Sequence, residues 1–345
     1  MNFLFKSKPK GPVELVKYTR DSMTKLETSA PSARDKASDE ISRNISQMLQ
    51  ILREGGADKK NTEAASEQVA QLAQEIYSNS LLPLLITNMP RLGFETRKEI
   101  SVIFGMLLRR KIGQREPTVE YLAKNDRIIR DIINGYANHD TAMFCGSILR
   151  ECLKHESLAA IVIESPEFMN FFDYVEGSNF DIASDAFANF RDALTRFKGL
   201  ASRYLQKNYD PFFTKYTELL NSNNYVIRRQ SLKLLGEILL DRKNFNVMTR
   251  YISYNENLKL IMSSLSDKSK SIQYEAFHIF KIFVANPNKT PQIYNILWNN
   301  RDKLISYLSN FQSEKDNDEQ FKDEKAFLVR EVQKMRPPPA TSGST

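Results

Sequence analysis

The stretch NYVIRRQSLKLLGEILLDRKNF, residues 224–245, decides the fold. Leu, Lys, Arg and Glu dominate it and proline is absent, so it reads as a helix. At about 100° per residue, Ile227, Ser231, Leu234, Leu235 and Ile238 gather on one side as a core stripe. The opposite side carries Tyr225, Arg229, Lys233, Gly236 and Leu240, with Leu232 and Leu239 on its flank. A purely solvated face would carry charges of both signs and little Leu or Tyr. This helix therefore needs apolar neighbours on more than one side.

The same pattern recurs at a fixed offset. Ile227, Leu232, Leu235 and Leu239 lie 45 residues after Ile182, Phe187, Phe190 and Leu194, and 45 residues before Ile272, Phe277, Phe280 and Val284. A small residue recurs in the middle: Ala186, Ser231, Ala276. Upstream, FGMLLRR (104–110) lies over CGSILRE (145–151) at a spacing of 41, matching Gly105 with Gly146 and Leu108 with Leu149. Periods of about 40 to 47 belong to armadillo and HEAT arrays. One layer of two or three helices cannot cover its own apolar faces, so neighbouring layers stack on a shared core. The expected fold is all-α, a right-handed armadillo/HEAT-like α-solenoid of about six to seven helical repeats. It is expected to form one domain over residues 11–335, between a flexible segment 1–10 and a disordered tail 336–345 (RPPPATSGST) that cannot bury anything.

Composition agrees. Gly (12) and Pro (13) are sparse in 345 residues, which disfavours turn-rich β architecture. Pro12 is placed to open a first helix, a second is expected from near Ser32 to Arg53, and Val69, Leu72, Ala73 and Ile76 mark the core face of a third. GGADKKNTE (55–63) reads as a mobile loop. Forty-nine basic against 42 acidic residues give +7, a mild and interleaved excess that points only weakly to nucleic acid. Cys145 and Cys152 are two helical turns apart, roughly 10 Å, too far for a disulfide, and read as buried free thiols in a reducing compartment. The N-terminus lacks the apolar core of a secretory signal and no run is long enough to span a bilayer. The expectation is a cytoplasmic protein, concentrated at the cell cortex or at sites of polarised growth.

In a stacked array the last helix of each layer lines the inner surface. The residues left facing that groove are Tyr225, Arg229 and Lys233. Their counterparts one layer earlier are Phe180, Ser184 and Ala188, and one layer later Lys270, Tyr274 and His278. Aromatic and cationic side chains on an exposed face are the material of protein-binding hot spots. No catalytic or nucleotide-binding motif is present, so no enzyme, cofactor or metal is expected. His139, His155 and His278 are scattered, and His155 fits a helix end where a cation complements the dipole. The run EKDNDEQFKDE (314–324) lacks the glycine and ligand spacing of a calcium loop and reads as a solvated helix start. Trp298 reads as inter-helix packing. An alternative function is a single-stranded nucleic-acid-binding α-solenoid, with Tyr225 and Tyr274 stacking bases and Arg229 and Lys233 on phosphates. Against it, Ser184, Arg229 and Tyr274 are chemically unrelated, so no base-reading code repeats.

The stretches LRRKIGQREPTVEYL (108–122), SNFDIASDAFANFRDALTR (178–196), NYVIRRQSLKLLGEILLDRKNF (224–245) and EAFHIFKIFVANPNKT (275–290) resemble the Mo twenty-five family, also called calcium-binding protein thirty-nine-like scaffolds. The resemblance runs from Phe5 to Arg336 and implies a non-catalytic armadillo-like rod, monomeric when free. Such scaffolds bind and allosterically activate sterile-twenty-like (germinal-centre) kinases or pseudokinases, in cell polarity and morphogenesis. It implies a pocket for the partner's C-terminal Trp-Glu-Phe-type tail at Arg229, Lys259 and Met262. It also implies a concave kinase-binding surface at Phe180, Tyr225, Lys233, Arg242 and Phe245, to which the 45-residue offset adds Tyr274 and His278. Where animal members place a lysine, this chain has Asn299, with Lys303 retained one turn later. The calcium in the family name finds no support in the sequence.

Overall fold

The computed structural model describes residues 10–28, 30–55, 63–312 and 318–338. Among these residues there are twenty α-helices and no strand beyond an isolated bridge between Ile112 and Arg115. The chain divides into two compact units, Met1–Phe197 and Lys198–Thr345.

In the first unit a helix pair, α1 (Pro12–Thr28) and α2 (Pro31–Glu54), precedes three triplets. These are α3 (Glu63–Ser78), α4 (Leu81–Asn88) and α5 (Phe94–Arg109); α6 (Pro117–Lys124), α7 (Arg127–Asn134) and α8 (Ala142–Cys152); α9 (Glu156–Glu164), α10 (Phe171–Val175) and α11 (Phe180–Thr195). The third helices stack in order: α2 on α5, α5 on α8, α8 on α11. The second unit repeats the scheme with α12 (Lys198–Lys207), α13 (Tyr209–Leu220) and α14 (Tyr225–Leu240). Then follow α15 (Phe245–Tyr251), α16 (Asn255–Leu265) and α17 (Lys270–Ala285), and finally α18 (Pro291–Asn299), α19 (Arg301–Ser309) and α20 (Glu319–Gln333). Here α14 packs on α17 and α17 on α20. A three-helix repeat explains the 40- to 45-residue period, and six triplets with an N-terminal pair match the expected repeat number.

Local chemistry starts the last four third helices the same way, whereas α5 and α8 have no side-chain cap. Asn179, Asn224 and Ser269, again 45 apart, cap α11, α14 and α17, each side-chain oxygen accepting a backbone N–H of the first turn. Asp318 caps α20 likewise, so the end of the acidic run is a helix start; residues 313–317 lie outside the described residues. Such a cap satisfies one of the four orphan N–H groups of a helix start and is worth about 1 kcal/mol. Pro31, Pro117 and Pro291 stand at first helical positions, where the missing N–H costs nothing.

The repeat positions are the core. Ala186, Ser231 and Ala276 are fully buried, as are Phe190, Leu235 and Phe280. The register is looser at its first occurrence, where Ile182 and Phe187 are only half-buried. Gly236, placed by the periodicity on the outer face, is instead buried, and a Cβ there would make only an ordinary 3.9 Å contact with Ile279 of α17. Cys145 and Cys152 are free and buried, and burial pushes both thiols up to about 12. The loop expected at 55–63 falls, apart from Gly55 and Glu63, outside the described residues, as do most of the expected flexible N-terminus and residues 339–345 of the tail. His155 stands at the N-cap position of α9 without a side-chain capping bond and faces Glu116 at 3.3 Å, so a carboxylate rather than a helix C-terminus is its partner. Trp298 is half-buried with the Arg301 guanidinium 5.7 Å from its ring.

Candidate protein-binding face

The buried stripe of α14 turns the remaining side chains outward. Ile227, Leu232, Leu234, Leu235, Ile238 and Leu239 are buried, while Tyr225, Arg229, Lys233 and Leu240 are exposed. Asn224 fixes the first turn and so aims Tyr225, which is 44% exposed. Hydrogen bonds from Ser269 and Ser271, ahead of the Arg229 charge, hold the Tyr225 phenol below its ordinary range. Arg229 reaches α17, its Nε 3.8 Å from Glu275 Oε1. Lys233 and Arg242 pair with no carboxylate among the described residues, so their charges are available to a partner. Beyond α14, Asp241 accepts the Lys243 N–H and the Lys198 ammonium, which pins the turn that carries Arg242. Phe245, the first residue of α15, is then left 63% exposed.

Other expected residues sit differently. Tyr274 and His278 lie on α17 where α20 packs, with their rings 4.6 Å apart and the tyrosine 5.5 Å from Phe321. His278 faces Glu324 at 3.8 Å, and Lys281 holds the same carboxylate at 2.8 Å. Both aromatic residues are half-buried, so they present less surface than Tyr225. Lys259 and Met262 lie one turn apart on α16, exposed and half-buried, on the flank of the buried stripe of Leu258, Ile261 and Leu265. Arg229 stands on α14, joined to α17 through Glu275. Phe180 belongs to the first unit, where it opens α11 directly after its Asn179 cap and is 64% exposed. Asn299 ends α18 and is exposed, as is Lys303 on α19.

Sequence periodicity missed the second unit's apolar cleft, about 530 Å³ in volume. Leu240, Phe245 and Met248 form one wall, Ile282 and Pro287 another, and Phe327 of α20 a third, with Lys281 and Glu324 beside it. Its size is that of a pocket able to take an anchoring side chain. Phe245 links this cleft to the α14 face, whereas Arg229, Lys259 and Met262 do not line it. Among the described residues no three His, Cys, Asp or Glu side chains group as metal ligands, and no helix is long and apolar enough to cross a membrane.

A family model described as Mo25-like matches residues 3–336. The human protein "Calcium-binding protein 39-like" is 50% identical over 333 residues, 96% of this chain and 97% of its own length. The "Mo25-like protein" of Schizosaccharomyces pombe is 44% identical over 335 residues, covering 97% of this chain and 100% of that one. Among solved structures, a computationally designed armadillo repeat protein for modular peptide recognition aligns at a TM-score of 0.45 and 10% identity, over 78% of this chain and 99% of that one. That last likeness is too low to carry topology. The sequence match, unbroken from the first helix to the last, is decisive: this chain belongs to the Mo25-like family.

Proposed function

We propose that this protein is a non-catalytic scaffold that binds a sterile-twenty-like kinase or pseudokinase and stabilises its active conformation. Membership of the Mo25-like family supports the reading, since the resemblance implies this activity. The carrying observation is the outer face of α14 and the segment after it: Tyr225, Arg229 and Lys233, then Arg242 and Phe245, are all exposed beside a helix whose Ile227, Leu232, Leu234, Leu235, Ile238 and Leu239 are core. Aromatics and arginines held rigidly in the open lose little entropy on binding. The cleft beside Phe245 offers an apolar socket adjoining the cations. For activation, the scaffold must bind the active conformer better than the inactive one, because only that difference shifts the population.

A second anchor, for a partner's Trp-Glu-Phe-type tail, is assigned to Arg229, Lys259 and Met262. Calorimetry tests both anchor and partner class. A Trp-Glu-Phe-ended peptide should bind the wild type, and Arg229→Ala combined with Met262→Ala should weaken it by ~30-fold or more, the range of truncated hot-spot residues. Unchanged affinity with the fold intact would move the anchor elsewhere. Failure of any sterile-twenty-like kinase to bind would overturn the function.

A further inference from the structure

A second aromatic and cationic site lies in the first unit. Residues from α3, the turn after α5 and α6 enclose a cleft of about 380 Å³. Its floor is Tyr77 and Tyr121, stacked with centroids 5.2 Å apart at 27°. The Tyr77 hydroxyl is committed. Thr118 Oγ1 gives its single proton to the Leu107 carbonyl at 2.7 Å, so in the 2.7 Å contact between Tyr77 and Thr118 the tyrosine donates. That bond locks the ring pair as a rigid platform.

Charge is distributed unevenly around it. Of the four cations in residues 109–115, Arg109 is 3.1 Å from Glu151 and Lys111 is 2.8 Å from Glu116. Arg115 grips Glu120 through two bonds of 3.1 and 2.5 Å. Arg110 is the exception: half-buried, lining the cleft, and paired with no carboxylate among the described residues. Lys124, exposed on another wall, forms no salt bridge there, although its charge helps to hold the Glu120 carboxyl low, behind the bond from Arg115. Beside them Ile112, 52% exposed, is held at the rim by its bridge to Arg115 around Gly113, whose φ of 60° suits glycine.

We propose that this cleft docks an acidic linear segment of a protein partner, with a carboxylate on Arg110 and Lys124 and a neighbouring aromatic side chain on Ile112 and the tyrosine pair. A carboxylate suits it better than a phosphate. Three lining cations face one lining carboxylate, Glu120, and Arg115 is already spent on it. One free guanidinium and one ammonium match two carboxylate oxygens, whereas a phosphate dianion presents three. The volume is at the lower end of ligand pockets, enough for a pair of side chains. The site is independent of the kinase reading, since no residue of α14 takes part.

The test is methyl NMR on the full-length protein labelled at isoleucine δ1 methyls, titrated with the blocked peptide acetyl-Glu-Phe-Glu-amide. The Ile112 methyl should shift saturably, and Arg110→Ala should weaken binding about tenfold, as expected for one charge-assisted contact. Acetyl-Gln-Phe-Gln-amide should leave the methyl unmoved. If Arg110→Ala disturbs isoleucine methyls remote from the cleft, the exposed Lys124→Ala serves instead, with a loss of about threefold. No shift, equal binding of the Gln peptide, or unchanged affinity in the usable variant overturns the proposal. Tighter binding of a phosphotyrosine-containing peptide overturns the carboxylate assignment.

Discussion

Helices α11 and α14 occupy the same register, 45 residues apart, yet spend their polar residues in opposite directions. On α11 Asp185 and Asn189 point inward. Tyr136 donates to Asp185 at 2.5 Å, Arg150 pairs with the same carboxylate, and Asn189 donates to the Tyr136 oxygen at 2.6 Å. Burial, reinforced by the Asp185 charge, drives the Tyr136 phenol well above its usual range. On α14 the positions matching Asp185 and Asn189 are the exposed Gln230 and the buried Leu234, so the inner face is apolar. Its charges stand instead at Arg229 and Lys233, where α11 has Ser184 and Ala188. The charge of α11 is buried in one cluster between layers, whereas α14 ties Arg228 and Arg229 to Asp267 and Glu275 of the next layer and leaves Lys233 exposed. The backbone repeat leaves that choice to individual side chains.

The largest stability effect should come from the inward cluster. The Asp185 side chain is 8% exposed, and Asp185→Ala leaves Arg150, Tyr136 and Asn189 without their shared acceptor. A loss of about 2 to 3 kcal/mol is expected from denaturant midpoints. Arg229→Ala, at a half-exposed pair 3.8 Å long, should cost less than about 0.5 kcal/mol. Equal costs would dissolve the contrast.

A paired glycine experiment sharpens it. Asp185 lies so close to the α8 backbone that a Cβ on Gly146 would collide with its carboxylate and with the Tyr136 hydroxyl. Gly146→Ala should therefore destabilise by about 1 to 3 kcal/mol through overpacking. Gly236→Ala, with only an ordinary contact to Ile279, should be neutral or gain up to about 1 kcal/mol of helix propensity. Thermal melts of the two variants moving the same way would contradict this account.

The smallest effect is where the helices should agree. Asn179→Ala and Asn224→Ala each remove an Asn cap that accepts the third-position backbone N–H, so each should cost about 1 kcal/mol in chemical denaturation. A large difference between them would show that something other than the cap holds one helix start.

The sequence made the repeat legible because burial imposes periodicity: Ala186, Ser231 and Ala276, or Phe190, Leu235 and Phe280, must be small or apolar wherever layers meet. The exposed row Tyr225, Arg229, Lys233 was legible for the complementary reason, as a face too apolar and too cationic for solvent alone. The caps at Asn179, Asn224 and Ser269 share the 45-residue offset but change residue type, so a search for apolar repeats passes over them. Asp185 and Asn189 carry no sequence mark of facing inward, since a polar residue on an amphipathic helix reads as solvated until its partners are placed. Nor could periodicity reveal the cleft at Phe245, Met248 and Phe327, which gathers helix ends and a loop that no single period links.

The central claim is that the outward charges and aromatics of the second unit select an active kinase conformation rather than merely tether a kinase. Arg242 and Phe245 are exposed and lie in the turn after α14 and at the start of α15, not on the helices that carry Arg229, Lys259 and Met262, so replacing both with Ala should leave fold and tail-peptide binding intact. The measurement is activity of a sterile-twenty-like kinase against scaffold concentration, carried to saturation. The account predicts a plateau well below that of the wild type, because tail tethering still raises occupancy while the differential affinity for the active conformer is lost. A double variant that reaches the wild-type plateau at higher concentration would contradict it.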